Sequence, residues 1–203
     1  MLVADTDPVR PGSAIDIARI EAAVGEILAA IGEDPRRPGL LSTPRRVAQA
    51  YTEFFSGLGV DPLVHLSETV ATGEGQLGEV VLLRDIEFRS ICEHHLLPFT
   101  GVAHVAYLPA ARIVGLGRIP RVVETLAARP QLQERLTEQI ADTLQAGLDP
   151  HGVLVVLDAT HGCVTARGAR QARSTTVTMA TRGSLSDPTA RAELMALIGA
   201  RDA

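Results

Sequence analysis

The chain of 203 residues contains no lysine, no asparagine and no tryptophan, so all 19 of its Lys/Arg side chains are arginine. These absences remove whole classes of chemistry: a Schiff-base lysine, a P-loop lysine, a Cys-His-Asn triad and any N-glycosylation sequon. Aromatics are scarce, with two Tyr and four Phe, and the formal net charge is −5. A strongly basic nucleic-acid binder is thereby excluded, and little is left on which to stack bases. The N-terminal MLVADTDPVRPGS has no apolar signal core, and the longest aliphatic run, near Val153 to Leu157, is far short of a bilayer span. Two cysteines, Cys92 and Cys163, make no disulfide framework of the secreted kind. The expectation is a soluble cytoplasmic protein with neither nucleic-acid nor membrane partners. What remains is 46% hydrophobic and 21% charged, the composition of one globular domain with its own core and room for a helical appendage.

Hydrophobic periodicity supplies the elements. Ile17, Ile20, Val24, Ile27, Leu28 and Ile31 recur at helical spacing between Ser13, a candidate N-cap, and Gly32, a candidate stop. A second helix is expected from Thr43 as cap and Pro44 in the first turn, carrying Val47, Tyr51 and Phe54 to Gly57. Arg45 and Arg46 in its first turn oppose the helix dipole, a small cost that suits an anion-binding role or none. From Gly57 to Gly78 no period is sustained and a connecting segment is expected, which divides the chain into an N-terminal helical region, 1–78, and a second region, 79–203.

Alternation over Arg84–Ile91 predicts a half-buried strand, and GVAHVAYL a second. A short extended piece at RIVGL precedes two helical patterns split at Pro130, which suits a first-turn position, the second with Leu132, Leu136, Ile140, Leu144 and Leu148 four apart. Strands are expected again within VLVVLDATHGCVTARG and RSTTVTMATRG, and Asp187-Pro188 should open a last helix with Leu194 and Ile198 inward. The order is that of an α+β protein with a largely antiparallel sheet and two helices inserted between strand pairs. Open sheet edges favour pairing with further subunits.

Cys92 stands beside His94 and His95, and Cys163 stands two residues from His161, although the chain holds only two Cys and six His. Thiolate and imidazole are preferred zinc ligands, and a Cys2His set leaves the fourth tetrahedral position for water, as in catalytic sites. Strand alternation would turn His161 and Cys163 to one side, with Thr165 and Arg167 further along. Two non-ligating imidazoles beside an activated water are natural proton shuttles. Buried thiols, a Cys92–Cys163 disulfide and a closed structural site completed by His161 are the other readings of the same residues. The zinc deaminase pattern is absent. By position alone Gln133 and Glu134 flank an apolar helical stripe, and Arg118, Arg121, Arg167 and Arg170 are surface charge. His65, His104 and His151 lie outside the cluster.

Taken together, RSICEHHLLPFTGVAHVAYLP, IVGLGRIPRVVETLAARPQLQERLTEQIA and DATHGCVTARG resemble the GTP cyclohydrolase I family, and GEDPRRPGLLSTPRRVAQAYTEFFSGL resembles its N-terminal helical region. The resemblance runs from about residue 17 nearly to the end. It implies a tunnelling fold preceded by helices, whose subunits join sheets into pentameric barrels and stack as a homodecamer. It implies hydrolysis of GTP to 7,8-dihydroneopterin triphosphate and formate, the first step of folate or pterin synthesis. It implies Cys92, His95 and Cys163 as ligands of Zn2+, and His94 and His161 as catalytic histidines. Glu134 with Gln133 would read guanine, and Arg46, Arg118, Arg121 and Arg167 would bind the triphosphate. Gly117-Arg118 departs from the usual serine-lysine pair: arginine keeps the charge with a different reach, and glycine removes a hydroxyl. That departure keeps open a paralogue acting on a related purine nucleotide; a non-catalytic purine- or pterin-binding module on the same scaffold, which would need loss of metal function, is the other alternative.

Overall fold

The computed structural model describes residues 14–71 and 79–199. The chain divides into two compact units, Met1–Gly59 and Val60–Ala203. The first holds α1 (Ile17–Ala30) and α2 (Thr43–Phe54). Ser13 lies outside the described residues; the N-cap is Asp16, whose carboxylate accepts from the Arg19 backbone N–H at 3.0 Å. Gly32 does stop the helix. At φ +87° it lets its own N–H reach the Ala29 carbonyl and that of Glu33 reach the Leu28 carbonyl, both at 3.0 Å, which closes the last turn. In α2 the cap falls one residue earlier than expected, on Ser42, because Thr43 already has a helical place ahead of Pro44. The Tyr51 ring packs edge-on to Phe55 at 5.3 Å.

The second unit begins with a 3-10 turn, Pro62–Leu66, and β1 (Thr69–Ala71), so the expected connector is partly ordered. The expected boundary at residue 78 lies outside the described residues. The main elements follow as β2 (Val81–Cys92), β3 (Pro98–Leu108), β4 (Arg112–Val114), α3 (Arg118–Ala127), β5 (Pro130–Gln131) and α4 (Gln133–Leu148). They continue as β6 (Gly152–His161), α5 (Gly162–Thr165), β7 (Thr176–Gly183) and α6 (Pro188–Gly199). The last helix opens on Asp187, which accepts from the Thr189 and Ala190 N–H groups at 2.9 and 3.1 Å.

Strand order is β5-β2-β3-β6-β7, antiparallel throughout except for β5, which runs parallel to β2 at Ile91↔Pro130 and Cys92↔Gln131. β1 and β4 form a separate antiparallel pair. Pro130 therefore opens an edge strand and not a helix, a place where its missing N–H does no harm, and α4 starts three residues later. Register between β2 and β3 slips once, between Leu83 and Ile86, at a bulge where Asp85 adopts φ +58° and its N–H meets His104 Nδ1 at 3.3 Å.

The core lies between the sheet and the helix pair. Ala103, Val105 and Tyr107 of β3 and Val153, Val155 and Leu157 of β6 face Ile119, Val122 and Leu126 of α3 and Leu136, Ile140 and Leu144 of α4. On the other face Ala106, Leu154 and Val156 pack against Leu185 and Leu194, with Ile198 beside them. Covered on both faces, β6 is an unbroken aliphatic run, because neither side of it meets water. This packing fixes the N-terminal end of α4 beside the ends of β2 and β6, where the chemistry-bearing residues collect.

Candidate active site

β2 ends on the buried Cys92, and the chain reverses at once. The Leu96 N–H donates to the Cys92 carbonyl at 2.8 Å and the Cys92 N–H to the Leu97 carbonyl at 2.9 Å, with Leu96 in the left-handed region at φ +51°. This tight turn leaves His94 and His95 exposed, their rings 6.3 Å apart and nearly perpendicular.

The second half comes from the end of β6. Alternation along one strand was expected to align His161 with Cys163, and the structure corrects this: the strand stops at His161, and Gly162–Thr165 form a single helical turn. A Cβ on Gly162 would sit 2.8 Å from the Pro98 carbonyl oxygen, so only glycine lets this turn approach the start of β3 so closely. The result is that one ligand atom each of Cys92, His95 and Cys163 lie within 4.8 Å of one another. Both cysteines are free thiols. Thr165 belongs to the same turn, its hydroxyl donating to the His161 carbonyl at 3.1 Å, and Arg167 is exposed beyond it.

The donor set, two thiols and one imidazole, could hold a metal ion. Burial pushes the Cys163 thiol up from its ordinary value, and the neighbouring Cys92 pushes it further. Two ionised thiols at this spacing repel, and a cation removes that penalty by taking both as thiolates. The group can hold a metal ion, and it is the one such group among the described residues.

His161 stays outside that group. Its ring stacks on Phe99 at 4.6 Å and 4°, and its Nε2 lies 2.7 Å from Gln133 Oε1. Gln133 is 1% exposed, and its amide nitrogen donates to the Leu157 and Thr176 carbonyls at 3.1 and 2.8 Å and to the Thr178 hydroxyl at 3.1 Å. The atom left for His161 is thus an acceptor, so His161 Nε2 carries a proton and Nδ1 is the atom that can take up or release one. Burial lowers the His161 pKa, while the nearby Glu134 carboxylate pulls it back up. The Gln133 side chain, expected against guanine, makes these hydrogen bonds behind His161.

Glu134 is exposed in the first turn of α4. Arg118 opens α3 and forms an ion pair with Glu68, and Arg121 is exposed on the same helix. Arg46 is exposed in the first turn of α2, within the Met1–Gly59 unit. Sequence reasoning missed Phe99, whose stacking needed the Phe99↔His161 register, and the Glu93–Arg135 pair, which joins residues far apart in the chain.

Residues 20–199 match the family model for GTP cyclohydrolase I. The chain belongs to the GTP cyclohydrolase I family. The GTP cyclohydrolase 1 of Leifsonia xyli subsp. xyli is 68% identical over 184 residues, covering 91% of this chain and 96% of that protein. Those of Rhodopirellula baltica and Streptomyces griseus subsp. griseus are each 52% identical, covering 95% and 97% of this chain and 83% and 100% of theirs. Among solved structures, an apo archaeosine synthase QueF-like protein aligns over 54% of this chain and 98% of its own at 16% identity and a TM-score of 0.45, too distant to decide anything here. Among the described residues of this GTP cyclohydrolase I family member, no helix is long and apolar enough to cross a membrane.

Proposed function

We propose that this protein hydrolyses and rearranges GTP to 7,8-dihydroneopterin triphosphate and formate, the first step of tetrahydrofolate or pterin synthesis, with Zn2+ as its metal. The observation that carries the reading is the convergence of Cys92, His95 and Cys163 in one metal-capable group, in a chain of this family. Two thiolates and one imidazole suit zinc among the common divalent ions. When bound, zinc supplies Lewis-acid activation of water near neutral pH.

The protein's own residues account for the rest. His161, held through Nε2 by Gln133, presents Nδ1 to deliver a proton to N7 of guanine, which makes C8 electrophilic. His94, exposed on the turn, assists by hydrogen bonding during ring opening. Loss of the formyl group then frees an amine for closure to the pterin. Glu134 accepts from N1–H and the exocyclic amine of guanine, a pairing that adenine leaves unsatisfied. Gln133 serves the same site from behind His161. Arg46, Arg118, Arg121 and Arg167 hold the triphosphate as guanidinium forks.

The architecture fits a tunnelling fold, with the catalytic region read as 79–203 and the N-terminal helical region as 1–78. β7 forms one sheet edge, and at the other β5 covers only Ile91 and Cys92 of β2, which favours joining of sheets in a homodecamer of two pentamers. The proposed location is the cytoplasm.

Incubation of the pure protein with GTP tests the reading. Formate, an oxidisable fluorescent pterin and about one zinc per chain are the expected result; zinc without either product would overturn it. Gly117-Arg118 motivates a second reading, a paralogue for a related purine nucleotide. Comparing turnover of GTP, GDP and guanosine separates the two, and a strong preference for GTP removes the second.

A further inference from the structure

We infer that Glu93 and Arg135 are positioning residues, a two-armed clamp that holds the turn carrying His94 and His95 onto the first turn of α4. Arg135 Nη1 donates to Glu93 Oε2 and Nη2 to Glu93 Oε1, both at 2.7 Å, the fork-to-fork geometry that fixes orientation as well as distance. The Glu93 N–H donates to the Gln131 carbonyl at 3.0 Å, so backbone and side chain of one residue are tied to the same end of α4. Gln131 is itself anchored, its amide nitrogen donating to the Leu126 carbonyl and to Gln139 Oε1 at 2.9 Å each.

No other side chain does this for the turn. Among the described residues, no other side-chain hydrogen bond is made by residues 93–97. The backbone bonds at its base, two at Cys92 and one from the Glu93 N–H, leave the exposed His94 and His95 on a tip that no other side chain ties down. The pair is also poorly placed to serve global stability: the side chains of Arg135 and Glu93 are 44% and 29% exposed, and partly exposed ion pairs contribute little to folding. Its location explains it better. Arg135 follows Glu134 and Gln133 directly, so one helical turn holds His161 through Gln133, presents Glu134, and holds His95 and His94 through Arg135. Groups that orient a metal ligand from behind typically change metal affinity or activity by about 10- to 100-fold when removed.

This inference rests on the proposed reading that His95 is a zinc ligand. The test is zinc affinity, measured by chelator competition on full-length Glu93→Gln, Arg135→Gln and the double variant, with the melting temperature of each zinc-free protein recorded alongside. Each single variant should bind zinc about tenfold more weakly with its zinc-free melting temperature little changed. The double variant should be no worse than either single, because both remove one interaction. The exchanged pair, Glu93→Arg with Arg135→Glu, should recover part of the loss. Wild-type zinc affinity in the single variants, or losses that multiply in the double, would overturn the clamp. Absence of GTP turnover in the wild type would count against the proposed function alone, since zinc affinity decides the clamp without it.

Discussion

Where β3 and β6 cross the middle of the sheet, Ala103, Val105, Val153, Val155 and Leu157 are fully buried against α3 and α4. A few residues further along the same strands, at the turn after Cys92 and at the end of β6, His94 and His95 are exposed and His161, Gly162 and Cys163 are half-buried. The middle is held by aliphatic packing, which has no direction of its own, and the end by hydrogen bonds and ion pairs, which do. The end borrows its rigidity from the middle: α4 is seated by Leu136, Ile140 and Leu144, and its first turn then meets the proposed site through Gln133 and Arg135. Stability and chemistry are thus separable along one sheet, and substitutions can be chosen to show it.

The sharpest break is Cys163→Ala. Removing one of two thiolate donors should abolish bound zinc and all turnover while circular dichroism and the chromatographic profile stay those of a folded protein, because the half-buried Cys163 only borders the main core. His161→Ala should keep zinc at wild-type stoichiometry and lower kcat by about 100- to 10,000-fold, the range for a positioned proton donor. Equal metal content and equal activity in these two variants would erase the distinction between ligand and proton carrier.

Leu157→Ala tests the other region. Truncating this fully buried side chain should cost about 2–5 kcal/mol in chemical denaturation, with zinc and kcat retained per folded molecule. The smallest expected effect is at His104. Burial lowers its pKa from the ordinary 6.5, against the pull of Asp85 and Asp158. The unfolded chain therefore takes up the proton first, so this stability is complete above about pH 6.5 and is lost as pH falls through the lowered value. His104→Gln should flatten that part of the acid-side decline in melting temperature, and an unchanged slope would contradict it.

Much of this was legible in the residues. The strand-strand-helix-helix-strand-strand order followed from local periodicity, and the gathering of both cysteines with three of six histidines into two short segments announced a metal-capable group before any fold was known. The errors share a cause. VLVVLDATHGCVTARG carries no polar alternation to mark its end, so the helical turn at Gly162–Thr165 was invisible; it exists because Gly162 can press against Pro98. Pro130 looked like a helix start because local preference cannot see that β2 offers it an edge to pair with.

Residue type and local order were enough to single out the metal-capable group, the α+β class of fold and the family, because ligand chemistry and hydrophobic period are properties of short segments. Which atom faces which was decided by packing across the chain. Gln133 meets His161 from 28 residues away, and Arg135 meets Glu93 from 42. No local preference can set such a distance; it takes a buried helix to bring its first turn to the right place.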